Sequence, residues 1–169
     1  MHSGEKRFQV FISSTYRDLE AARQEVSKAL LEANCFPAGM ELFPASDMEQ
    51  FDYIKSVIDE SDYYILISAG KYGTIHPDTG ISFTEMEYDY AVSIRKPIIR
   101  LLHKNPFKLL DDHLLENDDN KIAHLKKFRS KLETNRLVKH WNSVPELGKH
   151  VVLGLLEAQK RYPTQGWVR

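Results

Sequence analysis

The sequence of 169 residues lacks several features that would place it in a familiar class. It has a single cysteine, Cys35, so it can form neither an intrachain disulfide nor a zinc site built from several cysteines. Its longest apolar runs, such as residues 63–69, are far shorter than the ~20 residues that a membrane span needs. Residues 1–7 are polar and lack the apolar core of a signal peptide. We therefore expect a soluble cytoplasmic protein that has no membrane partner.

Charge and motif patterns exclude further classes. The 23 Lys and Arg residues nearly balance the 24 Asp and Glu residues, which argues against a strongly basic nucleic-acid binder. Neither a GxxxxGK[ST] phosphate loop nor a GxGxxG fingerprint occurs, which argues against ordinary nucleoside triphosphatases and dinucleotide enzymes. The seven histidines form no HExxH motif, and no GxSxG motif surrounds the hydroxyl-rich residues 13–15. We expect no metal, no required cofactor and no specific nucleic-acid partner.

Hydrophobic patterns predict five strands that alternate with five helices. The strands are short apolar runs rich in β-branched and aromatic residues, and the helices have apolar residues three and four positions apart. The predicted strands are 8–13, 36–43, 62–69, 97–103 and 136–141, and the predicted helices are 17–34, 47–60, 82–95, 121–132 and 144–161. The last helix should bury Leu147, Val151, Val152, Leu155 and Leu156.

This alternation predicts a three-layer α/β domain of the flavodoxin-like type over residues 1–169. Each parallel crossover needs a connection of helix length, so the sheet should be parallel with helices on both faces. The expected strand order is 2-1-3-4-5, and the ligand crevice of such a sheet lies beyond the carboxyl ends of strands one and three. Residues 13–16, the turn-rich segment 70–80 and the start of the third helix should meet there.

One carboxylate of the third helix lies on that helix's apolar face. Glu87 belongs to the apolar stripe that begins at Phe83, whereas Glu85 points to another face. Glutamate is rarely buried without a partner, and burial raises its pKa. Two interpretations remain open, a catalytic or ribose-binding carboxylate and a structural ion pair with Arg17 or Arg23.

Four segments resemble a family of TIR-like domains of unknown function, of the DUF4062 type. They are VFISSTYRDLEAARQEV, SDYYILISAGKYGTI, GISFTEMEYDYAVSIRKPII and YPTQGWVR. The family is distantly similar to TIR domains and to nucleoside deoxyribosyltransferases, in which a glutamate near a helix start precedes an alanine by four residues. Glu87 and Ala91 match that pattern, followed by Lys96 and Pro97, and Glu85 is the rival glutamate.

The resemblance implies a signalling or defence effector that acts on an N-glycosidic bond, with NAD⁺ as the first candidate substrate. Glu87 would hold the ribose hydroxyls and stabilise an oxocarbenium-like charge, or attack the anomeric carbon itself. The implied ligand contacts are Ser13, Ser14 and Tyr16 for phosphate or ribose, Tyr72 for a base, Gly70 and Gly73 for close backbone approach, and Thr15 and Ser82 besides.

The alternative function is a non-catalytic interaction module that transmits a signal by contacts with its own copies or with downstream domains. An open cleft beside residues 13–16 and 70–73 would favour the enzyme, whereas a closed ion pair between Glu87 and an arginine would favour the module. The ending GWVR suggests a domain boundary, so we expect residues 1–169 to form the N-terminal module of a longer protein.

Overall fold

The short apolar runs of the sequence form the strands of one β-sheet. The computed structural model describes residues 5–39, 48–109 and 112–168. Neighbouring strands are all parallel, in the order β2-β1-β3-β4-β5, which confirms the predicted flavodoxin-like order. The strands are β1 Phe8–Ser13, β2 Cys35–Gly39, β3 Tyr63–Ser68, β4 Ile98–His103 and β5 Val138–Trp141.

Five α-helices cover the two faces of this sheet, as the sequence predicted. Helices α1 and α5 pack with one face into one hydrophobic cluster, and α2, α3 and α4 pack against the other face. Every residue of β3 and β4 is buried, as expected for central parallel strands that are covered on both sides. The helices are α1 Glu20–Glu32, α2 Met48–Glu60, α3 Phe83–Ser93, α4 Asp119–Glu133 and α5 Leu147–Arg161.

The structure changes some predicted boundaries. The first predicted helix starts as a 3₁₀ turn, Arg17–Leu19, before α1 begins, and the last one starts as the 3₁₀ turn Val144–Glu146. The predicted continuation of β2 beyond Gly39 and the predicted start of α2 lie outside the described residues. Among the described helices, none has the length and apolar character that crossing a membrane requires.

The prediction that α5 buries Val152 and Leu156 is wrong. These side chains are 41% and 59% exposed, whereas Leu155 is buried. Gly154 explains the difference, because a Cβ at this position would approach Ile99 Cγ2 to 2.9 Å. The helix therefore lies with its glycine against β4, and this orientation turns Val152 and Leu156 towards solvent.

Candidate functional site at the carboxyl edge of the sheet

A cleft of about 790 Å³ lies at the carboxyl edge of the sheet. The order of strands reverses between β1 and β3, and open parallel sheets bind ligands at such a switch point. The volume falls within the range of roughly 300–1,000 Å³ that is usual for small-molecule sites. The lining comes from residues 14–18 after β1, Lys71, Gly73 and Thr74 after β3, Phe83 and Thr84 in α3, and His113, Glu116 and Lys121 from the segment that leads into α4.

Glu87 lies beneath the floor of this cleft. It is one helical turn beyond Phe83 and Thr84 of the cleft wall, and it is completely buried, which confirms the inward orientation that the periodicity predicted. The Ser13 hydroxyl donates a long hydrogen bond of 3.4 Å to Oε2. Among the described residues, Oε1 has no hydrogen-bond partner. The carboxyl group is therefore only partly satisfied.

Burial controls the ionisation of this carboxyl group. It raises the pKa of Glu87 to about 8, against the opposing effects of the Arg23 charge and of the Ser13 hydrogen bond. Since that pKa lies above neutrality, Glu87 is mostly protonated at pH 7. A protonated carboxyl can remain in an apolar environment that would penalise the anion.

The buried Arg23 braces the turn that separates Glu87 from the cleft. Its guanidinium donates to Ser14 Oγ at 2.9 Å and to the Ile12 carbonyl oxygen at 3.2 Å. Ser14 Oγ in turn donates to the Thr15 carbonyl oxygen at 2.6 Å. The charge of Arg23 thus acts on Glu87 from beneath the cleft, whereas Arg17, the other predicted partner, lies exposed on the cleft wall.

The rival glutamate, Glu85, has a different environment. The Tyr72 hydroxyl donates to Oε1, and Lys131 Nζ lies 2.7 Å from Oε2. The same ammonium group lies 2.7 Å from Asp89 Oδ1. Both carboxylate oxygens of Glu85 are therefore paired, and the network joins α3 to α4 and to the loop after β3.

Some of the predicted ligand contacts lie on the cleft and others beneath its walls. Ser14, Thr15, Tyr16 and Gly73 line the cleft, whereas the fully buried Ser13 bonds to Glu87 below it.

The other predicted contacts have structural partners within the protein. Ser82 caps α3 by accepting the Glu85 backbone N–H at 3.1 Å. Tyr72 is buried, and its ring stacks on His124 with centroids 5.0 Å apart, so the structure places it in the core and not on the cleft wall. Gly70 lies under the segment that leads into α4, where a Cβ would collide with the Leu114 carbonyl oxygen.

Several residues that line the cleft were not among the ligand contacts predicted from the sequence. Asp18 and Lys71 adjoin predicted contacts, but nothing in their spacing singled them out. His113, Glu116 and Lys121 come from the end of a polar connection and the start of the helix that follows it, and their polar character was the only signal for them. Burial raises the pKa of Asp18, and the nearby Lys71 charge partly opposes this. The described residues hold no group of three His, Cys, Asp or Glu side chains that could bind a metal ion.

Comparisons with solved structures find similar folds in proteins with different functions. A Clostridium botulinum CMP N-glycosidase, BcmB, is 18% identical over 88% of this chain and 98% of its own, with a TM-score of 0.49. The TIR domains of the activated Roq1 resistosome, which recognises the pathogen effector XopQ, are 12% identical over 87% and 82%, with a TM-score of 0.44. The diflavin flavoprotein A3 from Nostoc sp. is 11% identical over 92% and 99%, with a TM-score of 0.43.

Sequence comparison assigns the family. Among curated proteins, none matches this chain significantly. The family model described as "Domain of unknown function (DUF4062)" matches residues 9–155, which is most of the chain and agrees with the predicted resemblance. The chain therefore belongs to the DUF4062 family.

Proposed function

We propose that this domain binds a nucleotide-type molecule in the cleft and cleaves its N-glycosidic bond, with NAD⁺ as the first candidate substrate. One observation carries the proposal: Glu87 is fully buried directly beneath the cleft, and one of its carboxyl oxygens has no partner in the described part of the chain. A buried polar group without a partner costs stability, and carboxyl groups with strongly raised pKa values are concentrated at functional sites. The resemblance to TIR-like domains independently points to the same glutamate.

The turn of residues 13–16 separates Glu87 from the cleft, so the substrate reaches Glu87 by displacing this turn. Displacement breaks the long bond between Ser13 and Glu87 and moves Ser14 away from Arg23, whereas the bond from Ser14 to the Thr15 carbonyl oxygen lies within the turn. When the turn opens, Glu87 releases its proton to solvent, and the positive charge of Arg23 favours the carboxylate that remains.

The ionised Glu87 then acts on the ribose. It stabilises positive charge on the ribose as the bond between the anomeric carbon and the base nitrogen breaks, or it forms a covalent bond to that carbon. The base departs with the electron pair of the broken bond. Water adds to the anomeric carbon and loses a proton, which completes hydrolysis. On the covalent route, the bond between that carbon and Glu87 breaks as the water adds, and its electron pair returns to the carboxylate.

A second candidate function is the interaction module, which two observations favour. Glu87 is closed off from solvent beside a buried arginine, as a structural group would be. In addition, α5 exposes Val152, Leu153 and Leu156, and exposed apolar side chains of this kind are common at protein–protein contacts. On this alternative, the partners are copies of the same chain or downstream signalling domains.

The test compares release of free base by the wild-type protein, Glu87→Gln and Glu85→Gln. NAD⁺ and a panel of nucleotides are incubated at high protein concentration, and the products are separated by chromatography. We expect the wild type to release nicotinamide from NAD⁺, Glu87→Gln to be slower by about 100-fold or more, and Glu85→Gln to keep most of the activity.

Two outcomes would contradict the proposal. Equal release by Glu87→Gln and the wild type would remove Glu87 from the chemistry. No release by any protein, even when copies are artificially clustered, would favour the interaction module.

A further inference from the structure

Three cationic side chains line the cleft. Arg17 follows β1, Lys71 follows β3, and Lys121 lies in the first turn of α4. Within the described ranges, none of the three forms a salt bridge, whereas Lys55, Lys131, Lys139 and Arg161 elsewhere on the surface do. These cations come from three separate segments of the chain, and the fold brings them to one cavity.

The carboxylates of the cleft do not neutralise this charge. Asp18 and Glu116 are the acidic residues of the lining, so two carboxylates oppose three cations. Glu116 is engaged as an acceptor, because its Oε2 receives the Tyr72 backbone N–H at 3.2 Å. Burial raises the pKa of Asp18, whereas the nearby Lys71 charge acts in the opposite direction. Among the described residues of the lining, cationic side chains therefore outnumber acidic ones, although the chain as a whole has a net charge of −1.

Contacts within the protein fix the position of Lys71 relative to Lys121. Tyr72, the residue after Lys71, stacks on His124, which lies three residues after Lys121 on α4. The bond between the Tyr72 backbone and Glu116 joins the same two segments a second time. Lys71 and Lys121 are thus presented to the cleft by a rigid connection between the loop after β3 and the start of α4.

The loop after β3 also lies close to the cleft floor. Gly73 has φ +99°, a conformation that favours glycine, and a Cβ at this position would lie 3.0 Å from Thr15 Cγ2. This close approach sets Lys71 beside the turn that covers Glu87. A ligand that occupies the cleft is therefore in reach of both the turn and the two lysines.

We propose that Lys71 and Lys121 bind a phosphate group of the substrate, so that the cleft takes nucleotides and discriminates against the corresponding free nucleosides. The proposal rests on the nucleotide site of the proposed function and names its substrate class. Ammonium groups bind phosphate by charge-assisted hydrogen bonds, and their effect is larger in a partly dehydrated cleft than on an open surface. Arg17, on the wall after β1, adds a third positive charge.

Paired probes that differ only by a phosphate test this inference. Binding is measured with AMP and adenosine, and turnover with nicotinamide mononucleotide and nicotinamide riboside. We expect AMP to bind at least about 10-fold more tightly than adenosine, and Lys71→Gln and Lys121→Gln each to weaken AMP binding by about 10-fold. Adenosine binding should stay unchanged in both variants.

The matched control is Lys127→Gln, an exposed lysine on α4 that does not line the cleft. It removes the same charge from the same helix and should leave AMP binding unchanged. Thermal unfolding of each variant shows whether the fold is preserved.

The outcomes separate this inference from the proposed function. Equal binding of AMP and adenosine, or wild-type AMP binding by both lysine variants, overturns the inference. If base release from nicotinamide riboside nevertheless depends on Glu87, the proposed function stands alone. If AMP binding depends on the lysines and no base is released, the phosphate site stands and the glycosidase proposal fails. Absence of binding to every probe overturns both.

Discussion

The two edges of the β-sheet differ in how completely their carboxyl groups are satisfied. At the amino edge, Asp62 accepts the Gln9 backbone N–H at 2.9 Å through one oxygen and the Gly166 backbone N–H at 3.2 Å through the other. At the carboxyl edge, Glu87 receives one long bond from Ser13 and keeps an unpartnered oxygen. One edge therefore uses its carboxylate to hold the chain together, whereas the other keeps a carboxyl group that weakens the fold.

The amino edge is closed by the chain itself. Arg7 and Trp167 exchange backbone hydrogen bonds of 2.9 and 2.7 Å, and the Tyr63 hydroxyl donates to the Tyr162 carbonyl oxygen at 3.0 Å. The carboxyl edge instead leaves a cleft that three cationic side chains line. The contacts that hold the chain together and the proposed site therefore lie at opposite ends of the same strands, so substitutions should separate their effects on stability and on base release.

The largest expected effect on stability is its dependence on pH through Glu87. Its pKa is 4.5 in the unfolded chain and about 8 in the fold, so both states are protonated below pH 4.5 and the carboxyl carries no penalty there. Between these values only the unfolded state releases the proton, so stability falls as pH rises. The fall approaches about 1.4 kcal/mol per pH unit, or roughly 3 kcal/mol between pH 5 and 7.5.

Urea unfolding of the wild type and of Glu87→Gln at several pH values measures this effect. The glutamine cannot titrate, so the variant should lose less stability than the wild type over that range. Glu85→Gln is the matched control, because it removes a neighbouring carboxylate that is already paired, and its stability should follow the wild-type pH dependence. Parallel curves of stability against pH for the wild type and Glu87→Gln would show that Glu87 adds no pH dependence to stability. The two edges would then not differ in this property.

A substitution at the amino edge should have a smaller effect on stability. Asp62→Ala removes the acceptor of two backbone N–H groups, and we expect it to lower the free energy of unfolding by about 2 kcal/mol. Asp52→Ala is the control, because Asp52 is 67% exposed and pairs only with Lys55 at the surface, so its removal should change stability by less than about 0.5 kcal/mol. Base release per folded molecule should stay at the wild-type level in Asp62→Ala. A loss of activity without a loss of stability would contradict the separation of the edges.

The fold could be predicted from the sequence because its signals are local and mutually consistent. The continuous apolar run of β3 has no polar face, so it indicated a strand covered on both sides, and the alternation of elements then fixed a parallel sheet. The inward orientation of Glu87 followed from helical periodicity alone. The exposure of Val152 could not be predicted from periodicity, because it depends on the contact between Gly154 and Ile99 in a distant strand.

The sequence was a poorer guide to which side chains line the site. Tyr72 was predicted to stack on a base, but its ring contacts His124, and no local pattern connects two residues so far apart in the chain. Lys71 and Lys121 meet at one cleft only because the loop after β3 packs against α4. Sequence patterns located the edge of the sheet where function was expected, and tertiary packing decided which side chains face the cleft there.

The proposed site depends most directly on the ionisation of Glu87. Its side-chain carboxyl can be followed by NMR of protein labelled with ¹³C-glutamate, with Glu87→Gln to assign the signal. We predict one glutamate signal that titrates near pH 8 and is missing in Glu87→Gln. Titration of every glutamate at ordinary acidic pH would contradict the view that the carboxyl edge holds a buried, protonated carboxyl beneath its cleft.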